Sequence, residues 1–186
     1  MGVGTGATVG KLLGITHAMK SGVGTAGREL PGGLRVAGIA AVNAFGDVRD
    51  PHSGALVAGT RDAPGSDRLL NTARAMQEGV TRGGYTGENT TLAVAVTNAR
   101  LTKVQATKLA QMAQQGFVRA ISPVHTTLDG DLVIALATGE VTADLNLVGL
   151  AAADVLAEAI LRAVTQAESL GGVPALADLK KGLHKA

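Results

Sequence analysis

Cysteine and tryptophan are absent from the 186 residues, and only Phe45, Tyr85 and Phe117 are aromatic. Without cysteine there can be no disulfide, no thiolate metal ligand and no cysteine nucleophile. So few aromatics leave no stacking platform for bases. The 17 Lys and Arg nearly balance the 15 Asp and Glu, so the sequence pI near 9.2 does not reflect a basic patch. Nucleic acid is therefore not an expected partner. No leading apolar run has the form of a signal peptide, and no segment has the length and apolarity of a membrane span. The expectation is a soluble cytoplasmic protein with no membrane partner. His17, His52, His125 and His184 lack metal-ligand spacing, and each reads as a surface or turn residue. Neither a metal nor a cofactor is expected.

What is present is small. Glycine occurs 26 times, and the 46% of apolar residues are mostly Ala, Val, Leu and Ile, which suggests closely packed layers. The length fits one domain or part of a larger one. After a Gly-, Thr- and Ser-rich stretch to residue 33, Leu34 to Phe45 reads as a buried strand ending at Asn43. A turn-rich region follows. Residues 67–80 read as a helix with Leu69, Leu70, Ala73 and Met76 on one face and Ser66 as its N-cap. Residues 83–89, "GGYTGEN", form a loop before a strand at 90–98. A capping box, Thr102 to Gln105, opens a helix with Leu109, Met112, Ala113 and Phe117 on one face, and Pro123 stops it. A turn at Asp129-Gly130 leads into a strand over Leu132 to Ala137. The last large element is a helix over 147–170 with a narrow polar stripe, Asp154, Glu158 and Arg162. Strands and helices alternate, which points to an α/β fold with helices sandwiching sheet.

"GVGTGATVGK" invites a nucleotide reading, but a P-loop would need Gly at position 5, where Thr5 stands, and Ser or Thr after Lys11, where Leu12 stands. No strand precedes the looser dinucleotide fingerprint at Gly2 to Ala7. A tight turn with close backbone approach fits better, with Lys11 just beyond it as a fixed cation. No GxSxG elbow is present. Asp129 and Asp131 flank Gly130 at a strand entrance, and their i, i+2 spacing would put both carboxylates on one face of a strand. By itself "DGD" also fits a solvated turn or a loose cation site.

"GENTTLAVAV" poses the remaining question, since a strand does not need Asn89, Thr90 and Thr91 before it. An ordinary loop-to-strand junction would account for them. So would self-cleavage. A threonine with a free α-amino group, whose pKa is roughly 7.7–8.0, combines nucleophile and base. The amine is created when the hydroxyl attacks the preceding carbonyl, passes through an ester and releases the free terminus on hydrolysis. Such a site needs a loop before a rigid strand, carboxylates to orient the amine and a donor for the oxyanion.

The run "NTTLAVAVTNARLTKVQATKLAQMA…RAISPVHTTLDGDLVIALATG", with "GVGTGATVGK" and "AVNAFGD" before it, resembles the P1/DmpA-type peptidases, which include β-aminopeptidases and nylon-oligomer hydrolases. The resemblance extends from Gly2 to about Leu170. It implies an αββα sandwich of the DmpA/ornithine-acetyltransferase type and a precursor that cleaves itself before a Ser or Thr. Carried over to this chain, Thr90 is the nucleophile and Asn89–Thr90 the scissile bond. Asp129 and Asp131 are the acidic pair, Asn43 is the oxyanion-stabilising amide, and Lys11 is a lysine near the site. Threonine at position 90 resembles the nylon-hydrolase branch. The expected activity is amide hydrolysis of short peptides or oligomers such as 6-aminohexanoate oligomers, by a homo-oligomer of processed heterodimers, residues 1–89 and 90–186. Acyl transfer of the ornithine acetyltransferase type and a truncated, non-catalytic subunit are the alternatives. The family carries a further N-terminal part with strands and an active-site tyrosine. This chain starts at the glycine turn, so the sandwich is expected to be incomplete there, and Tyr85 is not taken to replace that tyrosine.

Overall fold

Alternation builds the central sheet. In the stretch from Leu34 to Val42, the buried Leu34, Val36, Gly38, Ala40 and Val42 alternate with exposed or half-buried neighbours, the two-residue period of a strand with one face covered. The computed structural model describes residues 2–81, 87 and 89–182. The loop read at 83–89 therefore falls largely outside the described residues, with Tyr85, as does His184.

In chain order the strands are β1 (Thr8–Val9), β2 (Met19–Lys20), β3 (Val23–Leu30), β4 (Leu34–Asn43), β5 (Asp47–Arg49), β6 (Leu56–Ala58), β7 (Thr90–Ala99), β8 (Ile121–Ser122) and β9 (Leu132–Val141). The helices are α1 (Thr72–Gln77), α2 (Lys103–Ala113), α3 (Gln115–Ala120), α4 (Leu145–Thr165) and α5 (Leu176–Gly182). The main sheet has the order β3-β4-β7-β9, beside a small sheet β6-β5-β8 and the pair β1-β2. β3, β4 and β7 are antiparallel neighbours. β7 and β9 are parallel, so the chain must cross back between them, and α2 and α3 lie on that crossover.

One face of this sheet is packed against α4, whose Val148, Ala152, Leu156, Ala159, Ile160 and Ala163 are buried. Asp144 caps the helix, its Oδ1 accepting from the Asn146 N–H at 2.6 Å and the Leu147 N–H at 3.2 Å. The helix lies very close to the strands. A β-carbon on Gly24 would stand 1.9 Å from the Ala159 carbonyl oxygen, and one on Gly38 would stand 2.6 Å from Leu156 Cδ2. The close layers expected from composition are real, and these glycines permit them. On the opposite face Val23, Ile39, Leu92, Leu132, Ile134 and Leu136 are all more than a third exposed.

Several expectations need correction. The described helices that pack on the main sheet, α2 and α4, pack on each other and on the same side, so within this chain they cover one face and do not sandwich the sheet. The helix read at 67–80 shrinks to Thr72–Gln77 and is capped by Asn71, not Ser66. The backbone before it is otherwise engaged: Arg61 bridges Leu69, and the Thr72 N–H is held at 2.5 Å by the Asp47 carboxylate. Met76 faces solvent as a result. The helix from Thr102 breaks into two at Gln114, although its capping box forms and Leu109, Ala113 and Phe117 are buried as read. The strand read at 132–137 runs on to Val141, and the last helix ends at Thr165. β3 lies in the Gly-, Thr- and Ser-rich stretch for which the sequence suggests no strand, since its small residues carry no two-residue pattern. No helix among the described residues is long and apolar enough to cross a membrane.

Candidate active site

Strand direction assembles the site. β7 runs parallel to β9 with Leu92 opposite Leu132, and one bridge further out pairs Asn89 with Asp129. The turn ahead of β9 therefore lands beside the residues ahead of β7, although some 40 positions separate them in sequence. β4 is antiparallel to β7, so its last residue, Asn43, stands opposite Thr90. Two strand pairings bring Asn43, Asn89, Thr90, Asp129 and Asp131 to one end of the sheet.

Lys11 joins them from the N-terminal segment. The Gly10 N–H donates to Gly46 O and the Lys11 N–H to Phe45 O, both at 3.0 Å. Gly10 has φ 73°, and a β-carbon there would lie 2.0 Å from the Gly59 and Thr60 backbone. Only glycine allows this approach. The fully buried Lys11 side chain then donates from Nζ to Asn43 Oδ1 at 2.7 Å and to Asn43 O at 3.1 Å. The Thr8 N–H also reaches Asn43 Oδ1, at 3.2 Å. An atom facing two obligate donors must be the amide oxygen, so the Asn43 amide is fixed in orientation with Nδ2 as its donor end. Burial lowers the Lys11 pKa to about 8, partly offset by the negative charge of Asp129.

The two aspartates stand in the turn before β9, not in the strand, and take different partners. Asp129 Oδ1 accepts the Phe45 N–H at 3.2 Å, while Oδ2 accepts the Thr126 N–H at 3.1 Å and the Thr126 hydroxyl at 2.6 Å. Asp131 Oδ1 accepts the Thr91 N–H at 2.8 Å. Burial is the main cause that raises the Asp131 pKa, and the nearby Asp129 charge adds to it, against the Thr91 hydrogen bond.

At the Asn89–Thr90 peptide, the Thr90 hydroxyl donates to Asn89 O at 2.6 Å, and the Gly130 N–H donates to the same oxygen at 2.8 Å. A β-carbon on Gly130 would come within 2.9 Å of Thr90 Oγ1. Thr90, Asn43, Gly6, Ala7 and Leu92 line a cavity of about 310 Å³. Thr91 points the other way. It is wholly buried, and its hydroxyl has no hydrogen-bond partner among the described residues.

Three contributors escaped the sequence reading. Gly130 is one. Lys20 is another: it is buried, and its ammonium closes the glycine turn by donating to Ala7 O at 2.8 Å, Gly4 O at 3.2 Å and Ser21 O. His125 is the third. It lies in an exposed turn as read, and its Nδ1 is 3.1 Å from Asp131 Oδ2. Its place six residues before Asp131, in the same turn, was the available signal. Among the described residues no group of three or more His, Cys, Asp or Glu is placed to hold a metal ion.

Peptidase family S58 matches residues 1–176. The chain belongs to this family. Among curated relatives, an uncharacterized aminopeptidase of Mycobacterium leprae is 37% identical over 92% of this chain and 51% of its own length. A 6-aminohexanoate-oligomer endohydrolase of Agromyces sp. is 32% identical over 75% of this chain and 39% of its own. This chain thus spans about half the length of the first of these relatives and less of the second. Solved structures share the fold. The L-aminopeptidase D-Ala-esterase/amidase of Ochrobactrum anthropi, described as a variant of the Ntn-hydrolase fold, superposes with a TM-score of 0.59 at 22% identity, over 92% of this chain and 50% of that one. A Burkholderia sp. β-aminopeptidase does so with a TM-score of 0.56 at 20% identity, over 98% and 52%. An α/β, Ntn-hydrolase-type fold and membership of a peptidase family are thereby established.

Proposed function

We propose that this chain is an N-terminal-nucleophile amidohydrolase that cleaves itself between Asn89 and Thr90 and then hydrolyses short peptides or amide oligomers, 6-aminohexanoate oligomers among them. The observation that carries this reading is the shared carbonyl: the Thr90 hydroxyl and the Gly130 N–H both address Asn89 O. The hydroxyl lies against the peptide it would attack, and the Gly130 N–H stands ready to hold the charge that develops on the carbonyl oxygen. In the first step Thr90 Oγ bonds to the Asn89 carbonyl carbon and the C–N bond breaks. The hydroxyl proton passes to the departing nitrogen, which becomes the Thr90 α-amine, and water then hydrolyses the ester. In turnover that amine accepts the hydroxyl proton as Thr90 attacks a substrate amide, and delivers it to the leaving amine. Asn43 Nδ2, aimed by Lys11 and the Thr8 N–H, serves the substrate oxyanion. Asp131 and Asp129 hold the segments on either side.

Hydrolase chemistry on an amide is what membership of a peptidase family supports, and the printed activity of the 6-aminohexanoate-oligomer relative supports the choice of substrate. Mass spectrometry of the purified chain is the direct test. Two products separating at Asn89/Thr90 are expected from the native chain, and one intact mass from Gly130→Ala, whose methyl would crowd the Thr90 hydroxyl. A native chain that stays whole and leaves 6-aminohexanoate oligomers untouched would refute the reading. Release of free acid with or without an added acceptor amine distinguishes hydrolysis from acyl transfer.

A further inference from the structure

His125 has no part in the chemistry above, yet it is held with care. Its backbone adopts φ 53°, uncommon for a residue with a β-carbon. Its ring stacks on Phe117, with centroids 5.7 Å apart and planes 19° from parallel. Phe117 is wholly buried in α3, so the imidazole rests on a fixed surface. From there Nδ1 lies 3.1 Å from Asp131 Oδ2, and the His125 N–H lies 3.4 Å from the same oxygen. The other Asp131 oxygen holds the Thr91 N–H at 2.8 Å. The Asp131 side chain is only 1% exposed, which leaves little water to share its lone pairs. A single buried carboxylate thus links an anchored imidazole to the peptide group that directly follows Thr90.

We propose that His125 is a positioning residue: by donating from Nδ1 to Asp131 it locks the carboxylate against the Thr91 N–H and so fixes the first residue of β7, with the Thr90 hydroxyl, in register with Asn43 and Gly130. A carboxylate with one oxygen unheld can rotate away from an amide. One with both oxygens engaged by fixed donors cannot do so without breaking a charge-assisted hydrogen bond. The chain of contacts exists whatever Thr90 does; its value for catalysis rests on the function proposed above.

The test compares the full native chain with His125→Gly and His125→Asn. Both replacements accept a left-handed backbone, and only Asn keeps a donor near the Nδ1 position. Amide hydrogen exchange is read at Thr91, with Ala95 as a reference deeper in β7, and the rate of cleavage before Thr90 is followed in parallel. Thr91 is expected to exchange roughly tenfold faster in His125→Gly, the equivalent of about one hydrogen bond. It should return towards the native rate in His125→Asn, with Ala95 unchanged in both and cleavage slowing in the same order. Equal Thr91 protection in all three proteins overturns the proposal. So does an equal loss at Thr91 and Ala95 in both variants, because that marks simple packing over Phe117. A native chain that never cleaves or hydrolyses would remove the catalytic reading, while Thr91 exchange would still decide whether His125 acts through Asp131.

Discussion

The two faces of the four-stranded sheet are built by opposite means. Towards α4 the strands present Ala40, Val42, Ala93, Ala95 and glycines, small enough for the helix to approach their backbone. On the other face Ile39, Leu92, Leu132, Ile134 and Leu136 are larger and partly exposed, and the first four border an apolar cavity of about 320 Å³. Thr90 and Thr91 show what the difference means for chemistry. On the open side Thr90 has a cavity beside it and a carbonyl within reach. On the covered side the identical hydroxyl is sealed in with no partner among the described residues. Close packing stabilises one face and leaves the other with open cavities along it.

The sharpest way to break this comparison is to exchange the two threonines' fates. Thr90→Ala is expected to leave a single uncut chain with no turnover, and Thr91→Val to yield two pieces at the native rate, both read by mass and by release of amine. Equal processing would mean that the faces do not separate the roles. Next, truncation should hurt the faces unequally. Leu156→Ala, in the packed layer, should cost about 2–5 kcal/mol in denaturant unfolding. Ile134→Ser, on the open face, should stay within about 0.5 kcal/mol and reduce self-association in light scattering, since apolar patches promote it.

A pH experiment probes the site end. Lys11 has its pKa lowered from 10.5 to about 8 in the folded chain. Between those values the unfolded chain binds the extra proton, so stability must rise with pH across that window, by up to ~3 kcal/mol in all. Below pH 8 both states are protonated and the penalty of burying the charge is fully present. Lys11→Met should lack this rise when unfolding free energies are compared between pH 8 and 10.5. Thr91 gives a last test: replacing its hydroxyl, which has no partner among the described residues, by a methyl should stabilise the chain by about 1 kcal/mol.

The sequence carried the site better than the scaffold that presents it. Asn43 at a strand end, Thr90 at a strand start and the "DGD" turn could be read locally, and the pairings of β7 with β4 and with β9 bring them together. Gly130 could not be singled out, because its contribution is a backbone N–H and the lack of a side chain, which only register reveals. His125 is the exposed turn residue expected, but its pairing with Asp131 went unseen because that carboxylate is buried by elements remote in sequence. β3 was missed for a related reason. "VGTAGREL" has weak strand propensity, and it is held by eight pairings to β4 and by α4 lying over Gly24. Tertiary contact, not local preference, makes it a strand.

The ladder between β4 and β7 joins residues on both sides of the Asn89–Thr90 bond. Its eight rungs run from Val36–Thr97 to Asn43–Thr90, and α4 rests on β3 and β4 as well as on β7. The rungs and the contacts of α4 with β3 and β4 all span the peptide bond between residues 89 and 90. Cutting that bond would change no neighbour in the folded molecule, but it would change the order of the unfolding reaction. An intact chain unfolds as one particle, and its melting temperature is independent of concentration. A nicked chain releases two, so dilution would lower its melting temperature by mass action, and once apart the halves would have to find each other again before either could rebuild its half of the sheet.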